Sequence, residues 1–173
     1  MNKGKIIWLN GVSSSGKTTI SRALQKLSND RFLYLSHDLV SEINDPKQRK
    51  LSFNDFESDN AIILAQLAKS LSDIGYNVIA DSVFVSDRTV QNENVLPDTI
   101  HILKDNPMYF IKVECPAEEL TLRELERGDR HIGQAIAQLH DLIPVNGYHL
   151  VINNYDKKPE ESAKEILESL KAK

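Results

Sequence analysis

The chain has 173 residues, a formal net charge of −4, and 40% hydrophobic and 27% charged residues. This length and composition suit one compact globular domain and argue against disorder, while the acidic balance argues against a surface that coats nucleic acid. No apolar run approaches the roughly 20 residues of a membrane-spanning helix, and the single Cys115 suits a reducing compartment. We therefore expect one cytoplasmic domain over residues 1–173, with neither nucleic acid nor membranes as partners.

Short apolar runs alternate with longer amphipathic runs along the chain, which is typical of a parallel sheet with helical crossovers. The first run is almost continuously apolar, as expected for a strand covered on both faces, so Trp8 is predicted to lie in the core. The predicted strands are residues 5–10, 32–36, 77–80, 108–115 and 149–153. Helices are predicted from about Gly16 and over residues 54–74, 117–126 and 160–171, with a short helical run at 39–43. The sequence therefore predicts an α/β fold with five strands.

The segment after the first strand matches the phosphate-binding pattern G-x-x-x-x-G-K-[ST] without a mismatch. It reads Gly11, Val12, Ser13, Ser14, Ser15, Gly16, Lys17 and Thr18. The match lies between an apolar run and an amphipathic run, which is the order of strand, loop and helix that the motif requires. The two glycines let the backbone approach closely, so that several N–H groups can point at one set of phosphate oxygens. These residues, together with Thr19, are predicted to bind ATP.

Two residues of the loop have more specific expected roles. Lys17 is predicted to reach the β- and γ-phosphates, and the Thr18 hydroxyl is predicted to ligate Mg²⁺. The loop predicts a nucleotide but no particular reaction, because switch GTPases, motor ATPases and small-molecule kinases all use it.

Acidic residues end the second and third predicted strands, which should open onto the same edge of a parallel sheet as the loop. Asp38 follows the second strand, where a carboxylate can accept the proton of an attacking hydroxyl; the alternative is an N-cap for the run 39–43. Asp81 ends an apolar run in the manner of a Walker B strand, whose aspartate holds Mg²⁺ directly or through water. The alternative for Asp81 is a solvated carboxylate at a strand end.

Three arginines lie close together in the segment Arg123-Glu-Leu-Glu-Arg127-Gly-Asp-Arg130. Arg123 and Arg127 are four residues apart on one helical face, and Arg130 follows the break at Gly128. Planar guanidinium groups suit the charge that spreads over a phosphoryl group in transfer. The segment at about 120–142 is thus a candidate lid, with Arg123 on the nucleotide and Arg127 and Arg130 in the chemistry. The alternative is pairing with neighbouring acids on a solvated helix. Those acids are Glu124, Glu126 and Asp129.

The loop, Asp38 and the arginine segment together resemble the chloramphenicol phosphotransferase-like family of P-loop kinases. The most specific pieces are the N-G-x-S-S-x-G-K-[ST] form of the loop and the R-E-x-x-R-G-D-R lid. They are followed by Gly133, Ala135, Gln138 and His140. The resemblance covers most of the chain, and it implies a P-loop fold with a five-stranded parallel sheet and helices on both faces, in the style of shikimate and adenylate kinases. It also implies ATP as donor and Asp38 as the base that activates a substrate hydroxyl.

The chain departs from this family pattern near the fifth strand and in the segments expected to line the acceptor site. Tyr148-His149-Leu150 and Asn153 stand where the family tends to read Tyr-Asp-Leu and then an acid. The segments expected to line the acceptor site, about 38–57 and 84–94, show no close match, and Arg88 in the second of them is a candidate contact for the acceptor or a phosphate.

The sequence thus favours an ATP-dependent kinase that phosphorylates a hydroxyl of a small molecule, with chloramphenicol as one candidate acceptor. A nucleotide or shikimate-type kinase is the nearest alternative, and a nucleotide-dependent switch or binding module is the alternative outside kinases. A GTPase is disfavoured because the segment 153–156 lacks the lysine of the Asn-Lys-x-Asp guanine motif.

Overall fold

The structure is a computed structural model that describes residues 2–43, 45, 47, 53–85, 95–128, 132–143 and 146–171, and of residues 53–58 it describes the backbone alone. Five parallel strands form one sheet in the order β2-β3-β1-β4-β5. The strands are β1 (Ile6–Asn10), β2 (Phe32–Ser36), β3 (Asn77–Ser82), β4 (Met108–Glu114) and β5 (Leu150–Asn153). The predicted five-stranded parallel sheet is therefore confirmed.

Helices follow or connect the strands in the described part of the chain. They are α1 (Lys17–Leu27), α2 (His37–Glu42), α3 (Phe53–Asp73), α4 (Val95–Leu103), α5 (Ala117–Arg127), α6 (Gln134–Asp141) and α7 (Pro159–Ser169). None of the helices in the described ranges combines the length and the apolarity needed to span a bilayer.

Strand β1 lies at the centre of the sheet and carries the core on both of its faces. All five of its residues are buried, and Trp8 is fully buried, as predicted. Ile6 and Trp8 join a cluster built with α2, α3 and α4, whereas Ile7 and Leu9 join a second cluster built with α1 and α7. Alternation along a strand sends successive side chains to opposite faces, so an uninterrupted apolar run is what a doubly covered strand requires.

A third, smaller cluster lies at the carboxyl edge of the sheet. Val12 of the phosphate-binding loop packs there against Cys115, Leu120 of α5 and Ala135 of α6. The helices at the base of the predicted lid therefore pack directly against the phosphate-binding loop. Cys115 is buried, and burial raises the pKa of its thiol, which agrees with a packing role for this residue.

Most predicted boundaries hold within one or two residues, and two differences bear on the site. Strand β3 continues to Ser82, two residues beyond its predicted end, so Asp81 belongs to the strand instead of following it. The short helix α2 begins at His37, and its N-cap is Ser36, whose Oγ accepts a hydrogen bond from the Leu39 backbone N–H at 3.0 Å. The alternative in which Asp38 caps this helix is therefore wrong, because Asp38 lies inside the first turn.

Candidate active site

The loop between β1 and α1 keeps a shape that side chains at its two glycines would obstruct. A Cβ at Gly11 would lie 2.5 Å from the carbonyl oxygen of Val113, and a Cβ at Gly16 would lie 2.2 Å from Nδ2 of Asn154. Gly16 also has φ of 95°, in the left-handed region that glycine adopts without a steric cost. Ser14 shares that region with φ of 59°. Close contact with the Val113 backbone at Gly11 and the left-handed backbone at Gly16 therefore favour glycine at both positions.

Lys17 is the first residue of α1, and its side chain reaches back over the loop. Its Nζ donates to the carbonyl oxygens of Gly11 at 2.7 Å and Val12 at 2.9 Å. No side chain caps the N-terminus of α1, and its first turn carries no acid. The positive end of the helix dipole and its N–H groups thus face the loop, which is the arrangement that binds phosphate at helix N-termini.

Two serine hydroxyls of the loop are buried without a partner. Oγ of Ser14 and Oγ of Ser15 have no hydrogen bond to any of the residues that the structure describes. A buried hydroxyl left unsatisfied costs about 1–3 kcal/mol, so such groups in a native protein are satisfied by a ligand or by an ordered water. Phosphate oxygens accept hydrogen bonds from hydroxyls, and the loop therefore fits a nucleotide triphosphate.

Asp81 lies at the end of β3 and is only 6% exposed. Its Oδ2 accepts a hydrogen bond of 2.5 Å from the hydroxyl of Tyr34, which also lies 3.5 Å from Oγ1 of Thr18. Burial raises the pKa of the Asp81 carboxyl, while the charge of Lys17 and the hydrogen bond from Tyr34 oppose that rise. Burial and the neighbouring Asp81 raise the pKa of Tyr34 to about 12. The alternative of a solvated carboxylate at this strand end is wrong.

Asp38 is exposed in the first turn of α2, just beyond the end of β2. Strands β2 and β3 pair so that Ser36 lies opposite Asp81, which brings Asp38 to the same edge of the sheet as Asp81. The two carboxylates interact, since the charge of Asp38 contributes to the raised pKa of Asp81. The structure therefore brings Lys17, Asp38 and Asp81 together as the sequence predicted, with one acid exposed and the other buried.

The donor set at this edge fits Mg²⁺. Thr18 and Asp81 offer a hydroxyl and a carboxylate oxygen, and Mg²⁺ prefers such hard ligands and commonly takes only one or two of them from the protein, with substrate phosphates and water completing the shell. Over the described ranges, no group of three or more histidine, cysteine or acidic residues could hold a metal by itself. These residues suit a metal ion that arrives with a nucleotide.

The three arginines of the predicted lid have different positions. Arg123 is engaged with the backbone: it donates to the carbonyl oxygens of Asn154 at 3.0 Å and Ser14 at 3.5 Å, and its Nε donates to Glu119 at 2.7 Å. Arg127 is exposed at the last position of α5. Arg130 and Arg88 lie outside the described residues. Arg123 thus braces the loop in addition to its predicted place near the nucleotide.

Glu124 has a role that the sequence did not reveal. It is fully buried, and its two carboxylate oxygens accept hydrogen bonds from the backbone N–H groups of Gly133 at 2.8 Å and Ala135 at 2.6 Å. The alternative in which Glu124 pairs with arginines on a solvated helix is therefore wrong. The carboxylate satisfies the first N–H groups of α6 and fastens this helix to α5. Its place beside Arg123 in the R-E-x-x-R-G-D-R segment was the signal that the sequence offered.

Two amides also hold the loop in place. Oε1 of Gln138, on α6, accepts a hydrogen bond from the backbone N–H of Ser13 at 2.6 Å. Nδ2 of Asn154, just after β5, donates to the carbonyl oxygen of Ser15 at 2.8 Å, and its Oδ1 accepts from Ser162 at 3.1 Å. Gln138 was noted in the sequence only for its spacing, and Asn154 only for its place in a segment that lacks the guanine-motif lysine. Their partners in the loop, Ser13 and Ser15, are more than 100 residues away, so local patterns could not reveal them.

The last residue predicted to bind the nucleotide, Thr19, lies exposed in the first turn of α1. Its hydroxyl donates to the carbonyl oxygen of Gly16 at 2.8 Å, which supports the turn that joins the loop to the helix.

Comparison with known proteins agrees with this geometry. The family model of the chloramphenicol phosphotransferase-like proteins matches residues 4–171. A protein of Mycobacterium tuberculosis that is provisionally named an O-phosphotransferase is 30% identical over 157 residues, which cover 77% of this chain and 67% of that protein. The cytidine diphosphoramidate kinase of Campylobacter jejuni is 31% identical over 131 residues, which cover 71% of this chain and 68% of that protein.

Among solved structures, the fold is similar to that of the APS kinase of Mycobacterium tuberculosis, solved in complex with AMPPNP and APS. The TM-score is 0.75 with 16% sequence identity, over 99% of this chain and 100% of that one. This likeness confirms the predicted P-loop fold. The family match over almost the whole chain, supported by the two relatives, shows that this protein belongs to the chloramphenicol phosphotransferase-like family, a family of P-loop kinases and phosphotransferases.

Proposed function

We propose that the protein is an ATP-dependent kinase that transfers the γ-phosphate to a hydroxyl group of a small molecule. The observation that carries the proposal is the meeting of Lys17, exposed Asp38 and buried Asp81 at one edge of the sheet, beside a loop with two unsatisfied serine hydroxyls. A phosphate-binding loop alone serves many reactions. An exposed carboxylate beside it supports transfer to an acceptor.

The loop would hold the triphosphate through residues 11–19. Backbone N–H groups and the serine hydroxyls would bind phosphate oxygens, and Lys17 would exchange its carbonyl partners on Gly11 and Val12 for the β- and γ-phosphates. Arg123 would approach the nucleotide from the side of Asn154. The backbone N–H groups are already held in place by the fold of the loop, so they would stabilise the phosphates without a large reorganisation.

Thr18 and Asp81 would hold Mg²⁺, which would supply positive charge that neutralises the phosphates. The burial of Asp81 supports this role, because a buried carboxylate that keeps its charge requires a positive partner. Lys17 provides part of that charge in the protein itself.

Asp38 would act as the base. Its carboxylate is exposed, so an acceptor hydroxyl can reach it, and it would take the hydroxyl proton as the oxygen attacks the γ-phosphorus. Lys17, Arg127 and Arg130 would compensate the charge of the phosphoryl group during transfer. Positioning and electrostatics would supply most of the rate enhancement.

The chemical class of the acceptor is supported by the relatives. The name of the mycobacterial relative describes transfer to an oxygen, and the name of the Campylobacter relative describes a kinase that acts on a cytidine diphosphate derivative. Chloramphenicol is a candidate acceptor from the family, and nucleotide-linked alcohols are candidates from the second relative. A requirement for ATP supports a cytoplasmic location.

An acceptor screen tests the proposal. The protein is incubated with ATP and Mg²⁺ and with single compounds from a panel of chloramphenicol, other hydroxyl-bearing antibiotics, sugars, shikimate, nucleotides and cytidine diphosphate derivatives. We expect one compound to stimulate ATP consumption and to gain one phosphate by mass spectrometry. Lys17→Ala, as the matched control, should lose this activity. Slow hydrolysis that no acceptor stimulates would contradict the kinase proposal and would favour a nucleotide-dependent switch.

A further inference from the structure

Tyr34 lies between the two residues that would hold the metal ion, and no sequence motif marks it. Its hydroxyl is 2.5 Å from Oδ2 of Asp81 and 3.5 Å from Oγ1 of Thr18. Tyr34 is on β2, Asp81 on β3 and Thr18 on α1, so this contact joins three elements of the site. The inference below rests on the proposed function, because it concerns the same site.

The direction of these hydrogen bonds follows from the groups involved. An ionised carboxylate only accepts, so the single hydrogen of the Tyr34 hydroxyl is donated to Asp81. The phenol oxygen keeps its own lone pairs and lies 3.5 Å from Oγ1 of Thr18, so it can accept the hydrogen of the Thr18 hydroxyl. With Asp81 ionised, the donors can then run from Thr18 through Tyr34 to Asp81.

This direction suits a threonine that binds a cation. A hydroxyl oxygen that gives a lone pair to a metal must point its hydrogen away from the metal, and that hydrogen needs an acceptor. Tyr34 offers that acceptor to Thr18. At the same time it engages Oδ2 of Asp81 and leaves Oδ1 for the metal or for a water that the metal holds.

The tyrosine ring is itself held in place. The guanidinium of Arg22 lies 4.4 Å from the centre of the ring, a contact of the cation–π type. Arg22 donates to Oε1 of Gln25 at 2.9 Å, and Gln25 donates to the carbonyl oxygen of Phe32 at 2.9 Å. The ring is thus fixed between α1 and β2, and the hydroxyl has a defined position.

We propose that Tyr34 is a positioning residue for the divalent cation: its hydroxyl links Thr18 to Asp81 and orients both oxygens toward the metal. Groups that orient metal ligands commonly contribute about 10–100-fold to metal affinity. Tyr34→Phe removes this hydroxyl alone and leaves the ring against Arg22.

The test measures metal affinity directly. Binding of Mn²⁺ to the protein with a non-hydrolysable ATP analogue is followed by electron paramagnetic resonance, for the unaltered protein and for Tyr34→Phe. We expect Tyr34→Phe to bind Mn²⁺ about 10-fold or more weakly, while its affinity for the analogue without metal stays unchanged. Once an acceptor is identified, excess Mg²⁺ should restore the turnover of Tyr34→Phe. Excess Mg²⁺ would not restore turnover that was lost because the variant failed to fold. Tyr76→Phe is the matched control, because Tyr76 is 44% exposed and precedes β3 at the opposite edge of the sheet.

The outcomes separate this inference from the proposed function. If the unaltered protein binds Mn²⁺ with the analogue and Tyr34→Phe binds it equally well, the role of Tyr34 is overturned and the kinase proposal stands. If the unaltered protein shows no metal-dependent binding of the analogue, both are overturned. Should Tyr34→Phe fail to fold, Arg22→Ala releases the ring and keeps the hydroxyl, and it should weaken Mn²⁺ binding in the same direction; unchanged binding would contradict the proposal.

Discussion

Two carboxylates at one edge of the sheet differ in their surroundings, and this difference suggests different chemistry for each. Asp38 is exposed on α2, whereas Asp81 is buried on β3 between Lys17 and Tyr34. An exposed carboxylate can receive a proton from a substrate, and a buried one beside cations is suited to hold charge in place. The proposed roles of base and metal ligand follow from this contrast.

Replacing Asp38 by asparagine tests its role as the base. Asp38→Asn should lower turnover by about 10² or more, the scale of a general base, because the amide cannot accept the proton. The affinity for ATP should stay the same, since the residue lies beyond the phosphate-binding loop. Steady-state rates and nucleotide binding are measured on the same preparation, and equal turnover would remove Asp38 from the chemistry.

Gly11→Ala tests the close approach at the start of the loop. Its Cβ would lie 2.5 Å from the carbonyl oxygen of Val113, which is backbone and has little room to move. We expect a loss of roughly 1–3 kcal/mol in the free energy of unfolding, the scale of overpacking, together with weaker nucleotide binding. Gly147→Ala is the control for backbone strain without a clash: it meets no atom within 4 Å, and its φ of 89° should lower stability but leave nucleotide binding unchanged. Equal losses of nucleotide affinity in the two variants would contradict the steric argument.

At the scale of elements, helices α5 and α6 at the base of the predicted lid are attached to the phosphate-binding loop. Helices α5 and α6 meet through buried Glu124, and α6 reaches the loop through Gln138. Val12 packs into the apolar cluster between these helices. The described parts of α5 and α6 are therefore held against the phosphate-binding loop.

Glu124→Gln should weaken the attachment of α6 to α5. The amide replaces one acceptor by a donor that faces a backbone N–H, so a buried group is left unsatisfied. We expect the free energy of unfolding to fall by about 1–3 kcal/mol, measured by urea denaturation. Glu126→Gln, on the exposed side of the same helix, should stay within about 0.5 kcal/mol. Equal behaviour of the two variants would show that the capping carboxylate contributes nothing.

The end of α3 is tied to the N-terminal segment by Asp73. Hydrogen bonds from Lys69, Lys3 and Asn106 lower the pKa of this carboxyl, with Lys3 at 2.9 Å and Asn106 at 3.0 Å. Because the pKa is lower in the folded state than in the unfolded state, the group contributes stability above its ordinary pKa and loses it as the pH falls through the folded value. The contribution is small, since solvent screens the ion pairs with the partly exposed lysines.

Asp73→Asn should therefore lower the melting temperature slightly at neutral pH, and the difference from the unaltered protein should shrink in acid and in high salt. Thermal unfolding from pH 7 down to pH 3 measures it. Asp105→Asn, an exposed aspartate in the turn after α4, is the control and should show no such trend. A difference that grows on acidification would contradict the assigned sign.

For the whole molecule, the order of the strands in the sheet decides which of the following segments lie side by side. Strand β1 lies between β3 and β4, with β2 outside β3, so the segments that follow β1, β2 and β3 open at one edge. The loop, Asp38 and Asp81 come together there although 70 residues separate the loop's first residue from Asp81. The two main clusters share β1, which supports a single cooperative unit.

Nucleotide binding should stabilise this unit as a whole. A non-hydrolysable ATP analogue with Mg²⁺, at 100 times its dissociation constant, should add about 2.7 kcal/mol to the free energy of unfolding. For a chain of this size, each added kcal/mol raises the melting temperature by about 2–4 °C. One transition that shifts as a whole is expected in differential scanning calorimetry, whereas two transitions of which only one shifts would contradict a single domain.

Much of the fold could be predicted because its signals are local. The apolar run of β1 and the amphipathic stripe of α3 report burial residue by residue, and the loop motif is a continuous stretch whose glycines, lysine and threonine have separate physical reasons. Asp38 and Asp81 could be placed as well, since each follows an apolar run and parallel strands end at one edge. The end of β3 was predicted two residues too early, because a polar residue such as Asp81 after an apolar run has the pattern of the first residue of a loop.

By itself, the sequence determined the class of the fold, the phosphate-binding loop and the two acids beside it, since these depend on periodicity and on short motifs. Only the tertiary structure decided that Glu124 caps α6, that Asn154 and Gln138 hold the loop, and that Tyr34 joins Thr18 to Asp81. The physical reason is that a polar side chain becomes buried and satisfied only when a distant strand or helix brings its partner, and neither residue type nor spacing records which partner that is.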